Sequence, residues 1–423
     1  MKKYLFMIFV LISGTSISAQ FDALFTKETL RLDYIHSGNA FQESIAYGSS
    51  SKEQFWGGSQ LNLIDTFYYG NHYVELIDEK SGTLIYSRGY CSLFAEWQTT
   101  AEAKTLVRSF EETAVFPFPL KPVQARILSR DEEGVFQLLF SMRIDPSDYF
   151  IKPFKTTGLP VYELLINRDP SIAVDIVIIP DGFTLEEMEQ FKLRSEQFVE
   201  YLFRFEPFKK HKDKFNIRAL LVPSAETGVA IPAKGEWPET AVSSSFYTFD
   251  SERYCMTYEH HRLRDLAGQV PYDQIYILTN TKKYGGGGIY NFYCLSSANN
   301  SASPEIIVHE FGHGFAGLGD EYYDSSTSYE EFYNLKIEPW EPNITTLVNF
   351  DQKWKHLVDE STPVPTPDNE GWDGKTGVFE GGGYVAKGIY RPSRDCLMHT
   401  FKGNIFCAAC SEAIEEMIFF YSE

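Results

Sequence analysis

The chain has 423 residues, a formal net charge of −20 and 43% hydrophobic residues. Acidity of that size excludes a nucleic-acid surface, which needs basic groups to displace counterions, and disfavours docking on anionic membranes. The length exceeds what one compact core usually holds, so more than one domain is expected.

Met1 to Ala19 has the form of a secretory signal peptide: Lys2 and Lys3 give a basic start, Tyr4 to Ile12 an apolar run, and Ser18-Ala19 a small-residue exit before Gln20. That run is too short to span a bilayer, and no later stretch has the length required. An exported protein is expected, secreted, periplasmic or at the cell surface, without a transmembrane segment.

Residues 20–160 read as strands joined by turns. Tyr73 to Ile77 and Thr83 to Tyr86 flank the turn-rich Asp78-Glu79-Lys80-Ser81-Gly82, and Val123 to Leu128 and Val135 to Met142 flank Arg130 to Gly134. Both pairs carry the alternation and the β-branched or aromatic content of hairpins. An antiparallel β-sandwich is predicted for residues 20–160. Nothing in it forms a catalytic constellation.

From residue 161 the rhythm changes. Ala173 to Ile179 is a nearly continuous apolar run. Thr184-Leu185-Glu186-Glu187 is a capping box that opens a helix with Met188, Phe191, Phe198 and Leu202 on one side. Asn216 to Val222 and Gln274 to Leu278 are further apolar strands, and strand–helix–strand alternation implies an α/β layer over residues 161–423. Tyr284-Gly285-Gly286-Gly287-Gly288-Ile289-Tyr290 lacks the Lys-Ser/Thr of a phosphate-binding loop. A flexible rim fits it better. Asn291 to Ser297 is a candidate for an exposed strand that takes up substrate backbone by β-augmentation.

His309-Glu310-Phe311-Gly312-His313 follows. Histidines four residues apart project from one helix face, so their imidazoles can converge on one zinc ion while Glu310 serves as general base. Ser303 as N-cap, Pro304 at the first position and Glu305 in the first turn mark the helix start. Ile306, Ile307, Val308, Phe311 and Phe315 give an apolar side, and Gly317 a left-handed stop. A third ligand is needed. Asp320, three residues beyond that glycine, is the first choice, with Glu321 as rival. The Pro- and Trp-rich stretch from Asp324 to Glu380 is expected to wall a cleft. Six cysteines in an exported chain favour disulfides. Cys407-Ala408-Ala409-Cys410 also suggests a second zinc site or a redox pair, but no second C-x-x-C completes a zinc ribbon.

His309 to Tyr322, Gly382 to Pro392 and Asp395-Cys396-Leu397-Met398 together resemble the IgA peptidase family of metzincin-like zinc endopeptidases. Asp181-Gly182-Phe183 and Pro342-Asn343-Ile344-Thr345-Thr346 are similar to it as well. The resemblance covers roughly residues 165–423, and a β-sandwich ahead of the catalytic domain is also similar to family members. It implies an α+β multidomain protein, with one Zn2+ on His309, His313 and Asp320, Glu310 as general base, and Met398 as a Met-turn residue beneath the metal. His399, next to Met398, would point away. A tyrosine hydroxyl from Tyr322, Tyr323 or Tyr390 would help hold the oxyanion.

A secreted zinc endopeptidase acting on protein or peptide substrates is therefore expected. An inactive peptidase-fold adhesin or glycan-binding protein is the alternative, opposed by the intact ligand set and Glu310. A zinc amidase would share the chemistry and differ only in substrate.

Overall fold

The computed structural model describes residues 15–323 and 332–423, with side chains from residue 20. Most of the expected signal segment, residues 1–14, lies outside them, and helix α1 (Thr15–Leu24) begins before its exit.

The first half is built from two small sheets. One has the strand order β5 (Arg108–Pro119), β1 (Phe25–Asn39), β2 (Gln42–Glu53), with a two-residue strand β8 (Lys152–Pro153) added in parallel to β2. The other has the order β4 (Leu84–Tyr90), β3 (His72–Asp78), β6 (Val123–Arg130), β7 (Phe136–Ile144), antiparallel throughout. The hairpins expected from residues 73–86 and 123–142 are the β3–β4 and β6–β7 pairs. Side chains of the two sheets meet. The Tyr86 and Phe116 rings are 6.1 Å apart, and those of His36 and His72 5.1 Å. A short helix α2 (Leu93–Gln98), N-capped by the Ser92 hydroxyl accepting from the Ala95 N–H, leads from β4 towards the second half.

The second half carries a six-stranded sheet. Its order is β13 (Gly286–Ile289), β14 (Tyr293–Ser297), β12 (Gln274–Thr279), β10 (Val174–Asp181), β11 (Phe215–Leu220), β9 (Val161–Leu165). The four inner strands are parallel and buried along their whole length. That burial explains why they read as continuous apolar runs rather than as alternation. Both edges, β13 and β9, run antiparallel to their neighbours. Helix α3 (Met188–Leu202) opens with the expected Thr184–Glu187 box, and its buried stripe includes Met188, Phe191, Phe198 and Leu202. It packs with α5 (Ser303–Ala316), which in turn meets α6 (Ala408–Ser422), while α4 (His260–Ala267) lies against β5 and β10. A hairpin of β15 (Phe379–Gly382) and β16 (Val385–Arg391) precedes α6 in the chain.

A buried ionic knot crosses β5, β1 and β2 in the first sheet of the first half. His36 bonds Glu112 through Nδ1 at 3.1 Å and Glu43 through Nε2 at 2.9 Å. Burial alone would lower the imidazole pKa, but the two carboxylates outweigh it and raise it to about 9. A raised folded-state pKa stabilises fully below the unfolded value of about 6.5, and the contribution fades as pH rises through the folded one. The stability advantage of the native chain over a His36→Gln variant should therefore be largest below about pH 6.5 and shrink towards pH 9, as measured by urea denaturation across that range. A pH-independent difference would contradict this.

Candidate metal centre and catalytic cleft

Helix α5 starts one residue differently from expectation. Ala302 is its N-cap, and the Ser303 hydroxyl instead donates to the Ser297 and Asn300 carbonyls at 2.6 and 2.8 Å. The stop is as expected: Gly317 takes φ 66°, and its N–H returns to the carbonyls of Gly312 and His313. Two glycine positions set how closely the sheet approaches this helix. A Cβ on Gly288 would lie 2.2 Å from the Glu310 carbonyl oxygen, and one on Gly314 would lie 2.1 Å from the Cys294 sulfur. The glycine run is thus no flexible rim. It is the edge strand β13, seated directly over α5. The strand proposed for that role, Asn291 to Ser297, is largely β14, and lies one place inside the sheet.

The expected ligand set comes together. Nε2 of His313 is 3.1 Å from Nε2 of His309, and Oδ1 of Asp320 is 3.3 Å from each. Four-coordinate ions with bonds near 2.0–2.1 Å hold neighbouring ligand atoms about 3.3 Å apart, so the spacing fits such an ion. Asp320 Oδ1 is buried without a hydrogen-bond partner, the kind of orphan that a cation satisfies. Each imidazole is fixed from behind. Nδ1 of His309 lies 3.0 Å from the Leu397 carbonyl, and Nδ1 of His313 lies 2.6 Å from that of Leu318. With those nitrogens donating, each Nε2 carries a lone pair towards the shared centre. Burial alone would raise the pKa of Asp320, but without an ion the protonated imidazoles of His313 and His309 hold it far below the carboxylate range; a bound ion would replace those protons.

Asp320 is itself clamped. The Tyr384 hydroxyl donates to its Oδ2 at 2.5 Å. The Gly383 N–H donates to its carbonyl at 2.8 Å, and Asn343 brackets the preceding Gly319 through its N–H and carbonyl at 2.7 and 2.9 Å. Tyr384 and Asn343 lie within segments that carry the family resemblance, and spacing alone gave them no role. Glu321, the rival ligand, faces away, buried among Cys396, Cys407 and Cys410. Met398 is fully buried beneath the site: a Cβ on Gly312, between the histidines, would lie 3.0 Å from its sulfur. His399 lines the cleft, with Nδ1 2.9 Å from the Arg394 carbonyl, outside the ligand cluster.

Of the three candidate tyrosines, Tyr322 lines the cleft. Tyr323 is 43% exposed, with its ring against Gly381, and Tyr390 pairs its backbone with Thr345; neither borders the cleft. Burial, together with the Asp320 charge, raises the Glu310 pKa despite the opposing histidines.

The expectation of disulfides is not met: all six cysteines are free thiols. Cys396 and Cys410, the pair whose sulfurs hydrogen-bond, are 3.7 Å apart, well beyond the covalent length of about 2.05 Å.

The centre opens into a cleft of about 620 Å³. Gly285 to Tyr290 and residues 332–334 and 337–341 wall it, so only part of the Asp324–Glu380 stretch does so; residues 324–331 lie outside the described residues. The first half of the chain also contributes, through Ala95 and Glu96 of α2 with its C-cap Thr99, and through Arg130 at the end of β6 with Asp131 and Glu132 beyond it.

A family model described as IgA Peptidase M64 matches residues 163–373 and 368–418, and one described as Peptidase M64 N-terminus matches residues 20–141. The chain belongs to the IgA peptidase M64 family. No curated protein matches it. M64 peptidases are metallopeptidases, which makes this chain a peptidase with a protein or peptide substrate. Among the described residues, no helix is long and apolar enough to cross a membrane.

Outer-shell partners of a metal ligand typically contribute 10–100-fold to metal retention. Replacing Tyr384 with phenylalanine removes the donor to Asp320, so the chelator concentration that halves peptidase activity should fall by about that factor. Unchanged chelator sensitivity would show that this hydroxyl does not support Asp320.

Proposed function

We propose that this chain is an exported zinc-dependent endopeptidase that hydrolyses peptide bonds of extracellular proteins, with Glu310 as general base. The observation that carries the proposal is the triangle of His309, His313 and Asp320 donor atoms, 3.1–3.3 Å on a side, with an orphaned carboxylate oxygen at one corner. Two neutral imidazoles and one carboxylate, with the cleft open beside them, suit zinc in a catalytic rather than a structural setting. Export is supported by the basic, apolar and small-residue order of Met1 to Ala19.

When bound, the ion supplies Lewis acidity, making water more acidic and a carbonyl more electrophilic. The protein does the rest. β13 ends the sheet on the cleft side; Gly286 is bridged to residues 253–255, and an extended peptide can align along Gly287–Ile289 beyond it. Glu310 sits under that strand: a Cβ on Gly286 would lie 3.3 Å from its Oε1. Its carboxylate takes the proton of the attacking water and delivers it to the departing amine. Burial, which raises the Glu310 pKa, makes it a better proton acceptor than an exposed carboxylate. Tyr322 lines the cleft next to Asp320, and its hydroxyl can turn to donate to the developing oxyanion. An adhesin or glycan-binding protein would have no need of this donor set.

Glu310→Gln preserves shape and removes the base. It should keep the bound metal and lose at least about 10²-fold in kcat on a chelator-sensitive casein digest. Cleavage at the native rate would refute the assignment of Glu310.

A further inference from the structure

On the far side of the Asp320 loop, Glu321 turns its side chain into a closed pocket with Cys396, Cys407 and Cys410, and all four are buried. The Cys396 and Cys410 sulfurs are 3.7 Å apart, and Glu321 Oε1 is 3.1 Å from the Cys410 sulfur and 3.7 Å from that of Cys407. A tetrahedral zinc ion, with bonds of about 2.3 Å to sulfur and 2.0–2.2 Å to oxygen, separates sulfur pairs by about 3.8 Å and sulfur–oxygen pairs by about 3.5 Å. Neither a disulfide nor ordinary apolar packing accounts for three sulfurs gathered around one carboxylate. From this pocket we infer a second, structural zinc site with Cys396, Cys407, Cys410 and Glu321 as ligands.

Three further features point the same way. Glu321 Oε2 is buried without a partner, and its other oxygen has a single side-chain amide donor, Asn343 Nδ2 at 3.0 Å. Burial this complete pushes the Glu321 carboxyl to hold a proton unless a cation takes that proton's place. Cys407 and Cys410 have the C-x-x-C spacing of structural zinc sites, and Cys407 is the N-cap of α6. Backbone N–H groups aim at the sulfurs: Cys407 N–H at Cys396 Sγ, 3.3 Å, and Cys410 N–H at Cys407 Sγ, 3.5 Å. Burial pushes the Cys396 and Cys410 thiols up; these donors, together with the positive end of the helix, act against it and would support thiolates on a bound ion.

Uptake of the ion displaces the three thiol protons to solvent and leaves four protein ligands with no open position, the pattern of a structural site. The ion ties three segments together: the loop that follows Asp320, the Cys396–Met398 turn beneath the catalytic centre, and the start of α6. Glu321 N–H already donates to the Met398 carbonyl at 2.8 Å. The second site is thus a brace for the first.

The test uses the full chain with the double substitution His309→Ala/His313→Ala, purified with zinc and without reductant. Wild type should hold two zinc ions per chain and the variant one. X-ray absorption of the variant should show a sulfur shell at about 2.3 Å. All six thiols should titrate after chelation and denaturation. A variant free of zinc, a shell of nitrogen and oxygen only, or two thiols missing from the count would each overturn the assignment. Glu321→Gln should lose the sulfur-bound ion from the otherwise native chain; if it does not fold, the double variant still decides. Failure of the His309–His313–Asp320 site would leave wild type and double variant alike with one sulfur-bound ion, so the two failures are distinguishable.

Discussion

Two imidazole nitrogens and a carboxylate oxygen held 3.1–3.3 Å apart, with no donor to that oxygen, form an arrangement that a protein alone has little reason to keep. Much of the second half can be read as the means of enforcing it. The histidines share a face because they are one helical turn apart. Bringing Asp320 back to that face takes a reversal of the chain, which Gly317 provides by going left-handed. The returning loop is then pinned by Asn343 at Gly319, by Gly383 at the Asp320 carbonyl and by Met398 at Glu321. Carbonyls of Leu397 and Leu318 fix the imidazoles from behind.

The same economy governs the sheet. β13 can lie over α5 only because Gly288 presents no side chain to the helix backbone, and α5 can lie on β14 only because Gly314 leaves room for Cys294. This contact sets Glu310 beneath the strand margin where an extended chain would run. The first half of the chain closes the opposite wall through α2 and the residues after β6. The first half of the chain is thus part of the cleft wall.

What the sequence disclosed follows the range of the forces involved. Local signals read well: the helix bearing His309, Glu310 and His313, its stop at Gly317, the capping box before α3 and the β3–β4 and β6–β7 hairpins depend on neighbours in the chain. Asp320 was legible because its distance from Gly317 is a short-range constraint. Tyr384 and Asn343 had no role assigned, since they reach Asp320 and Gly319 from 64 and 24 residues away. The glycine run reads as a loop because close approach of strand to helix is a tertiary demand that leaves no separate mark in the sequence. The cysteines misled through compartment: an exported chain suggests disulfides, whereas the fold gathers three thiols about Glu321 and leaves Cys91, Cys255 and Cys294 apart.

Anomalous diffraction from crystals soaked in zinc bears most directly on the central claim. A peak within about 2.0–2.2 Å of Nε2 of His309, Nε2 of His313 and Oδ1 of Asp320 is the predicted result. Ordered side chains at these three positions with no anomalous density between them, in a zinc-saturated crystal, would contradict the account.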